Sequence, residues 1–313
     1  MVDLVFIAFL DAQYTPSSRD ALVRRINAAR RHGVQLLLAM VALPARRDAI
    51  WAVDTPAVPA YLELVKREVH DVQFRFRSNV ERDPVVGFYQ THEMLVSNSS
   101  FWVEQYQFYD AMAKAVHSVA PDLAVVLSPY WDVNRGSAGG LGLQATMAGL
   151  MAMAMTDIDV LAPQEGRGTG KAGVYTQDEE NSRIADIDPN LARYANVNAS
   201  STFAQQFFAS TPQLYRESGQ VVKRANRLRP QNRPLKLWMN LEAFEHTSIN
   251  PCDIEHDTDR TNATRVRRSW DLVRSCECID SLISFMWDPY FECVPPGYNQ
   301  SLHQELLSEG KVM

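Results

Sequence analysis

Five apolar runs in this chain end on acids. Val85-Val86-Gly87-Phe88-Tyr89-Gln90-Thr91-His92-Glu93 closes on a carboxylate, and Val125 to Asp132 closes on Tyr130, Trp131 and Asp132. Val160 to Glu165 ends in Gln164-Glu165, Leu237 to Glu242 in Asn240-Leu241-Glu242, and Ser284 to Asp288 in Trp287-Asp288. Two carboxyl groups on either side of an acetal can cleave it: one protonates the leaving oxygen, while the other, ionised, attacks the carbon or activates water. Tyr89, Tyr130, Trp131, Trp238, Trp287 and Tyr290 lie near the same ends, and flat rings suit the apolar face of a pyranose. Asn240 precedes Glu242 by two residues and so shares its side of a strand, where it can bond a sugar hydroxyl or orient a carboxylate. A lone acid at a strand end is more often a cap or a surface ion pair, and core packing is the competing account of Trp238 and Phe88. The repetition across five segments is what favours a site. Glu93, Glu242, Glu165, Asp132 and Asp288 are the strand-end acids that could serve; Tyr89, His92, Tyr130, Trp131, Gln164, Asn240 and Trp287 complete the sugar-contacting set. Glu245 lies beyond its strand and reads as a cap or loop salt bridge.

The elements that must position these groups alternate. Period-two or continuous apolar runs predict strands at Leu4 to Leu10, Val34 to Val41, Val85 to Gln90, Leu123 to Ser128, Ile158 to Pro163, Leu235 to Leu241 and Leu282 to Trp287. Helical periodicity predicts helices around Ser18 to His32, Ala57 to Glu68, Phe101 to Val119, Gly142 to Met155, Ala204 to Arg227 and Thr264 to Cys276. Strand and helix in alternation imply a parallel sheet, in which active sites gather at the carboxyl ends of the strands. Seven strands leave two architectures open, a (β/α)8 TIM-type barrel lacking its first β/α unit or an open doubly wound sheet. The barrel is favoured, as a single domain over residues 1–313.

Composition removes several classes of function. At 313 residues, with 46% hydrophobic and 22% charged side chains, the chain can bury a large core. A net charge of -6 argues against a nucleic-acid partner, and no apolar run approaches the ~18 residues of a membrane span. No His-rich or Cys-rich metal spacing and no Ser-His-Asp arrangement stands out, so the reading calls for no metal and no cofactor. Gly166-Arg167-Gly168-Thr169-Gly170-Lys171 fails the phosphate-loop pattern, because Ala172 stands where Ser or Thr is required. It reads instead as a mobile loop over the site with Arg167 and Lys171 free to meet a ligand. Cys252 and Cys293 follow adjacent strands and are expected to pair, whereas Cys276 and Cys278 look too close to bridge. Acceptor patterns at Asn98, Asn198, Asn262 and Asn299, with the four cysteines, suggest a secreted glycoprotein whose export signal lies upstream.

The segments GFYQTHE, LSPYWD, DVLAPQEGRG, LWMNLEAF and ISFMWDPY, in that order, resemble the domain-of-unknown-function family numbered 4434, TIM-barrel proteins that look like glycoside hydrolases. The resemblance runs from about Val34 onward, and Glu165 stands where the family pattern has Asp. It implies hydrolysis of an oligo- or polysaccharide. Counting the last strand as the eighth, Glu93 closes the fourth and Glu242 the seventh. Those are the positions where many retaining TIM-barrel glycosidases, which the chain resembles in this respect, keep their acid/base and their nucleophile, although His92 stands where many carry Asn. A carbohydrate-binding barrel without catalysis is the alternative.

Overall fold

The computed structural model describes residues 5–9, 16–33, 35–40, 57–73, 84–96, 102–173, 177–195, 197–230, 232–246, 252, 258–285 and 287–308. In chain order its main elements are β1 (Val5–Phe9), α1 (Pro16–His32), β2 (Gln35–Ala39), α2 (Ala57–Val72), β3 (Val85–Gln90), α3 (Trp102–Val119), β4 (Ala124–Leu127), α4 (Leu143–Ala154) and β5 (Val160–Leu161). There follow three short helices, α5 (Ile184–Ile187), α6 (Pro189–Tyr194) and α7 (Phe203–Gln206), then α8 (Thr211–Leu228) and β6 (Lys236–Glu242). The chain continues through β7 (Phe244–His246), β8 (Thr258–Arg260), α9 (Ala263–Ser275), β9 (Ser281–Phe285) and α10 (Leu302–Ser308).

All seven expected strands form, each within two residues of its expected ends. They pair in parallel in the order β1-β2-β3-β4-β5-β6-β9, while β7 and β8 make a separate antiparallel pair. A doubly wound sheet reverses its strand order at a switch point. This sheet never does, so it winds in one direction as a parallel half-barrel. Among the described residues β1 and β9 pair with no further strand.

One helix differs from its expectation. The stretch expected as a single helix from Ala204 to Arg227 divides into α7 and α8, with Phe207 to Ser210 between them. Pro212 explains the break, because it lacks an N–H and is accepted only in a first turn, where it sits in α8. Within α8, Leu214, Tyr215, Ser218, Val221, Val222 and Ala225 recur at helical spacing and are buried against the sheet and α4. Each fully buried Leu or Val there contributes roughly 1.5–3 kcal/mol of hydrophobic stabilisation. The sheet's other face carries Leu37, Tyr89, Val126, Val160, Ala162 and Ile283, with Trp238 packed against them.

The amino-terminal end of the sheet is held by charge. Arg229 donates to the carbonyls of Ala154, Thr156 and Ile158, taking up the orphan acceptors beyond α4. His117 bonds Asp157 at 2.8 Å and Asp159 at 3.0 Å, and Arg233 reaches Asp159 at 2.6 Å. No described helix is long and apolar enough to cross a membrane.

Candidate active site

Strand alternation decides which side chains can meet. Tyr89 on β3, Val126 on β4, Val160 on β5 and Trp238 on β6 share the inner face, so Ser128, Gln164 and Asn240, two or four residues further on, continue the same face. Bridges link Tyr130 to Gln164 and Gln164 to Asn240, carrying the sheet past its formal strand ends. There the side chains become polar. Asn240 Nδ2 donates to Ser128 Oγ at 3.0 Å, and Gln164 Nε2 reaches the Ser128 carbonyl at 3.4 Å.

Both catalytic candidates rise from this layer at the carboxyl end. Tyr89 donates its hydroxyl hydrogen to Glu93 Oε1 at 2.8 Å, and Gln164 also bonds the Glu93 carboxylate. Burial pushes the Glu93 carboxyl above its ordinary range, opposed by those two donors and by the cation of Lys171. Glu242 stands two residues beyond Asn240 and is 5% exposed. The Gly168 N–H donates to its Oε2 at 2.5 Å, while Oε1 has no protein partner. Burial, reinforced by the nearby Glu165 charge, pushes the Glu242 carboxyl up to about 7, against the opposing pull of Lys171, the Gly168 N–H and Arg265. A buried carboxyl that ionises near neutral pH, with one oxygen unengaged, is suited to handling a proton or a reactive carbon.

The glycine-rich segment builds the wall beside Glu242. Gly166 and Gly170 adopt φ of 75° and 71°, and the Gly166 carbonyl accepts from the N–H groups of Lys171 and Ala172 at 2.7 and 2.9 Å. A Cβ on Gly168 would lie 2.5 Å from the Phe244 carbonyl oxygen and 2.9 Å from Glu242 Oε2. Only glycine lets this amide approach the carboxylate so closely. The expectation of a mobile loop with Arg167 free is therefore corrected: Arg167 is wholly buried, with Nη1 3.3 Å from each Glu165 oxygen and also bonded to Ser269 Oγ, and Nη2 3.3 Å from Thr211 Oγ1. Lys171 remains partly exposed, its Nζ 3.9 Å from the centroid of the Tyr130 ring.

The other candidate residues separate into two groups. Tyr130, Gln164 and Asn240 are joined side by side by consecutive bridges at the carboxyl end of the sheet, and Tyr89 is a buried donor to Glu93. His92 does not join them. Its side chain has the opposite parity to Tyr89 and Glu93, lies edge-on between Tyr61 and Phe108 at 5.4 and 5.3 Å, and is lowered by burial to about 4. Trp131, expected at the ligand, is 0% exposed, packs against Tyr215 and donates to the Glu165 carbonyl at 3.1 Å. Asp132 folds its own loop, accepting from the Asn134 N–H at 3.0 Å and from the Ser137 hydroxyl. Glu165 is committed to Arg167 and Ser269 and acts on the site through the field it places on Glu242. Tyr290 is buried against Phe244 at 5.1 Å, which makes it core. The side chains of Trp287 and Asp288, and all of Asn98, lie outside the described residues.

Glu245 fits the loop salt-bridge reading: Arg265 Nη1 reaches it at 3.0 Å and Asn190 Nδ2 donates to it at 3.0 Å. Cys252 and Cys293 are joined as expected, with Cα atoms 6.2 Å apart. Cys276 and Cys278 also form a disulfide, at a Cα separation of 5.2 Å, which corrects the expectation that they are too close to bridge comfortably. A Cα spacing of that size falls within the range disulfides tolerate.

Sequence reasoning missed Gly168 and the Glu165–Arg167–Ser269 group. Three glycines at alternate positions were a signal that backbone was about to approach something closely, but nothing in the sequence said that the something was Glu242.

Lys171 offers a test of the shared field. Its charge lowers both Glu93 and Glu242, so Lys171→Met should raise both ionisations and move both limbs of a kcat/KM profile to higher pH. Lys171→Arg should hold the profile in place. A profile that loses amplitude in Lys171→Met without moving along the pH axis would mean that the cation serves only packing.

No protein-family model and no curated protein sequence matches the chain. Among solved structures, it is similar to a protein assigned as an alpha-L-fucosidase from Bacteroides thetaiotaomicron, at a TM-score of 0.60 and 11% identity over 97% of this chain and 82% of that one. It is also similar to the endo-beta-1,4-mannanase of Thermotoga petrophila, at a TM-score of 0.55 and 12% identity over 97% and 65% of the two chains. What the chain shares with them is the arrangement of a parallel, barrel-type α/β sheet. At such identities the likeness concerns the fold, and the chemistry has to be argued from the side chains themselves.

Proposed function

We propose that the protein is a glycoside hydrolase acting on an oligo- or polysaccharide, with Glu93 and Glu242 as its two carboxyl groups. The observation that carries this is their common setting. Both stand at the carboxyl end of one parallel sheet, above the Tyr89, Ser128, Gln164 and Asn240 layer, both are raised by burial, and both feel Lys171. The fold's likeness to glycosidase barrels supports the same reading. Their strand positions favour retention, with Glu93 as acid/base and Glu242 as nucleophile. Glu93 is partly exposed, where a departing sugar can leave, and Glu242 is buried, where a covalent intermediate is shielded from bulk water. Glu242 must be ionised to attack, so one limb of the rate profile should fall near pH 7. Two disulfides and the exposed acceptors Asn198, Asn262 and Asn299 support a secreted setting.

The test is to incubate the full chain with a panel of oligo- and polysaccharides and follow the products by NMR. Release of a sugar whose first-formed anomer matches the substrate supports the proposal in full; the opposite anomer would leave hydrolysis standing and remove retention. Specific binding with no turnover on any glycan would favour a non-catalytic carbohydrate-binding barrel.

A further inference from the structure

A second feature lies on the same carboxyl-end face, in the loops after β4 and β5. Asn134 and Phe207 form an antiparallel bridge between these loops, Arg135 N–H donates to the Gln206 carbonyl at 2.8 Å, and Phe208 N–H donates to the Val133 carbonyl at 2.8 Å. Between them opens a hollow of about 190 Å³, bounded by Arg135, Glu180, Phe203, Phe207, Phe208 and Ser210 among others. Phe208 is 38% exposed, one of few large apolar side chains displayed to solvent among the described residues. The Arg135 guanidinium lies 4.2 Å from its centroid and is itself fixed by donating Nε to the Phe207 carbonyl at 3.2 Å. The ring is therefore held in place before any ligand arrives.

One polar group in the hollow is unexplained by the fold. Ser210 is 4% exposed, and its Oγ has no hydrogen-bond partner. It occupies the N-cap position of α8, where a serine normally bonds the first turn, yet its side chain makes no cap bond. That oxygen is closed off from solvent, so Ser210 belongs to the wall of the hollow and not to its open surface.

We propose that this hollow is a second sugar subsite, which holds one monosaccharide unit of a longer glycan against Phe208 with Arg135 bonding its hydroxyls. Arg135 is balanced by the Glu180 carboxylate, so the hollow has no net charge to select an anion. Aromatic surface with donors and acceptors at its rim matches a neutral pyranose, which has an apolar face and a hydroxylated edge. The inference rests on a glycan being the ligand of the neighbouring cleft, and it adds that chains long enough to reach Phe208 are preferred.

The experiment separates the two readings. Binding of cello-, xylo- and manno-oligosaccharides of two and six units is measured by calorimetry to the Glu93→Gln/Glu242→Gln protein, with and without Phe208→Ala, and turnover of the same sugars is followed in the active background. Phe208→Ala should weaken the hexasaccharide about tenfold, leave the disaccharide unchanged, and be rescued by Phe208→Tyr. Exposure of the ring makes misfolding of this variant easy to exclude by melting. No loss on the hexasaccharide, or an equal loss on both lengths, overturns the subsite. Length-dependent binding through Phe208 in a wild type that cleaves nothing keeps the subsite and removes the hydrolase reading, whereas normal cleavage untouched by Phe208→Ala does the reverse.

Discussion

Glu242→Gln should lower kcat on any glycan the wild type cleaves by about 10³–10⁴-fold, while making the folded protein more stable at alkaline pH. The two effects have one origin. Folding raises the Glu242 carboxyl from 4.5 to about 7, so the ionised form is penalised in the native state. That penalty is absent below the unfolded value, grows as pH rises from 4.5 to about 7, and is constant above. Glutamine keeps the shape and can still accept from the Gly168 N–H, but it never ionises. The variant should therefore gain on the order of 3 kcal/mol over the wild type above pH 7 and little near pH 4. Glu93→Gln should lose activity by a comparable factor, most severely on substrates whose leaving group needs protonation. Retention of more than a tenth of wild-type kcat in Glu242→Gln, or a stability gain that does not change with pH, would remove the assignment.

Arg167→Ala should cost roughly 3–5 kcal/mol of stability, because it strands the fully buried Glu165 without its cation. Ser269 and Thr211 lose a donor at the same time. For a chain of this size the loss corresponds to a drop of roughly 5–8 °C in Tm. Activity should fall even at temperatures where the variant is folded, since Arg167 adjoins Gly168, whose N–H holds the Glu242 carboxylate. The double change Glu165→Gln/Arg167→Met removes both charges and should recover much of the stability, as replacement of buried ion pairs by apolar or neutral groups often does. Calorimetric melts of the three proteins at pH 7 decide the matter. A Tm shift under about 2 °C for Arg167→Ala would show that solvent reaches the pair.

The order of strands and helices was legible because each rests on a local pattern. The period-two runs around Leu37, Phe88 and Leu241 and the helical spacing of Leu214 to Ala225 are properties of neighbours in sequence, and the structure carries them within a few residues. Glu93 and Glu242 were legible for the same reason, as acids placed where an apolar strand stops. Asn240 was legible too, because residues two apart share a face.

His92 and Trp131 show where that reasoning fails. Each stands beside a residue of the cleft, but parity turns it toward the helices, and only the partners Tyr61, Phe108 and Tyr215 reveal that the space there was already filled. Arg167 failed differently. A cation in a glycine-rich segment reads as exposed until a buried acid two residues away and hydroxyls 44 and 102 residues away are found around it.

The sequence alone determined the parallel α/β alternation, the carboxylates at the strand ends and the spacing that puts Asn240 beneath Glu242. The tertiary structure decided which of those acids are unpaired. Ionisation and reactivity depend on burial and on charges brought together from distant segments, so Glu165 became one half of an ion pair, while Glu242, met by a single backbone N–H, kept a carboxyl that ionises near neutrality.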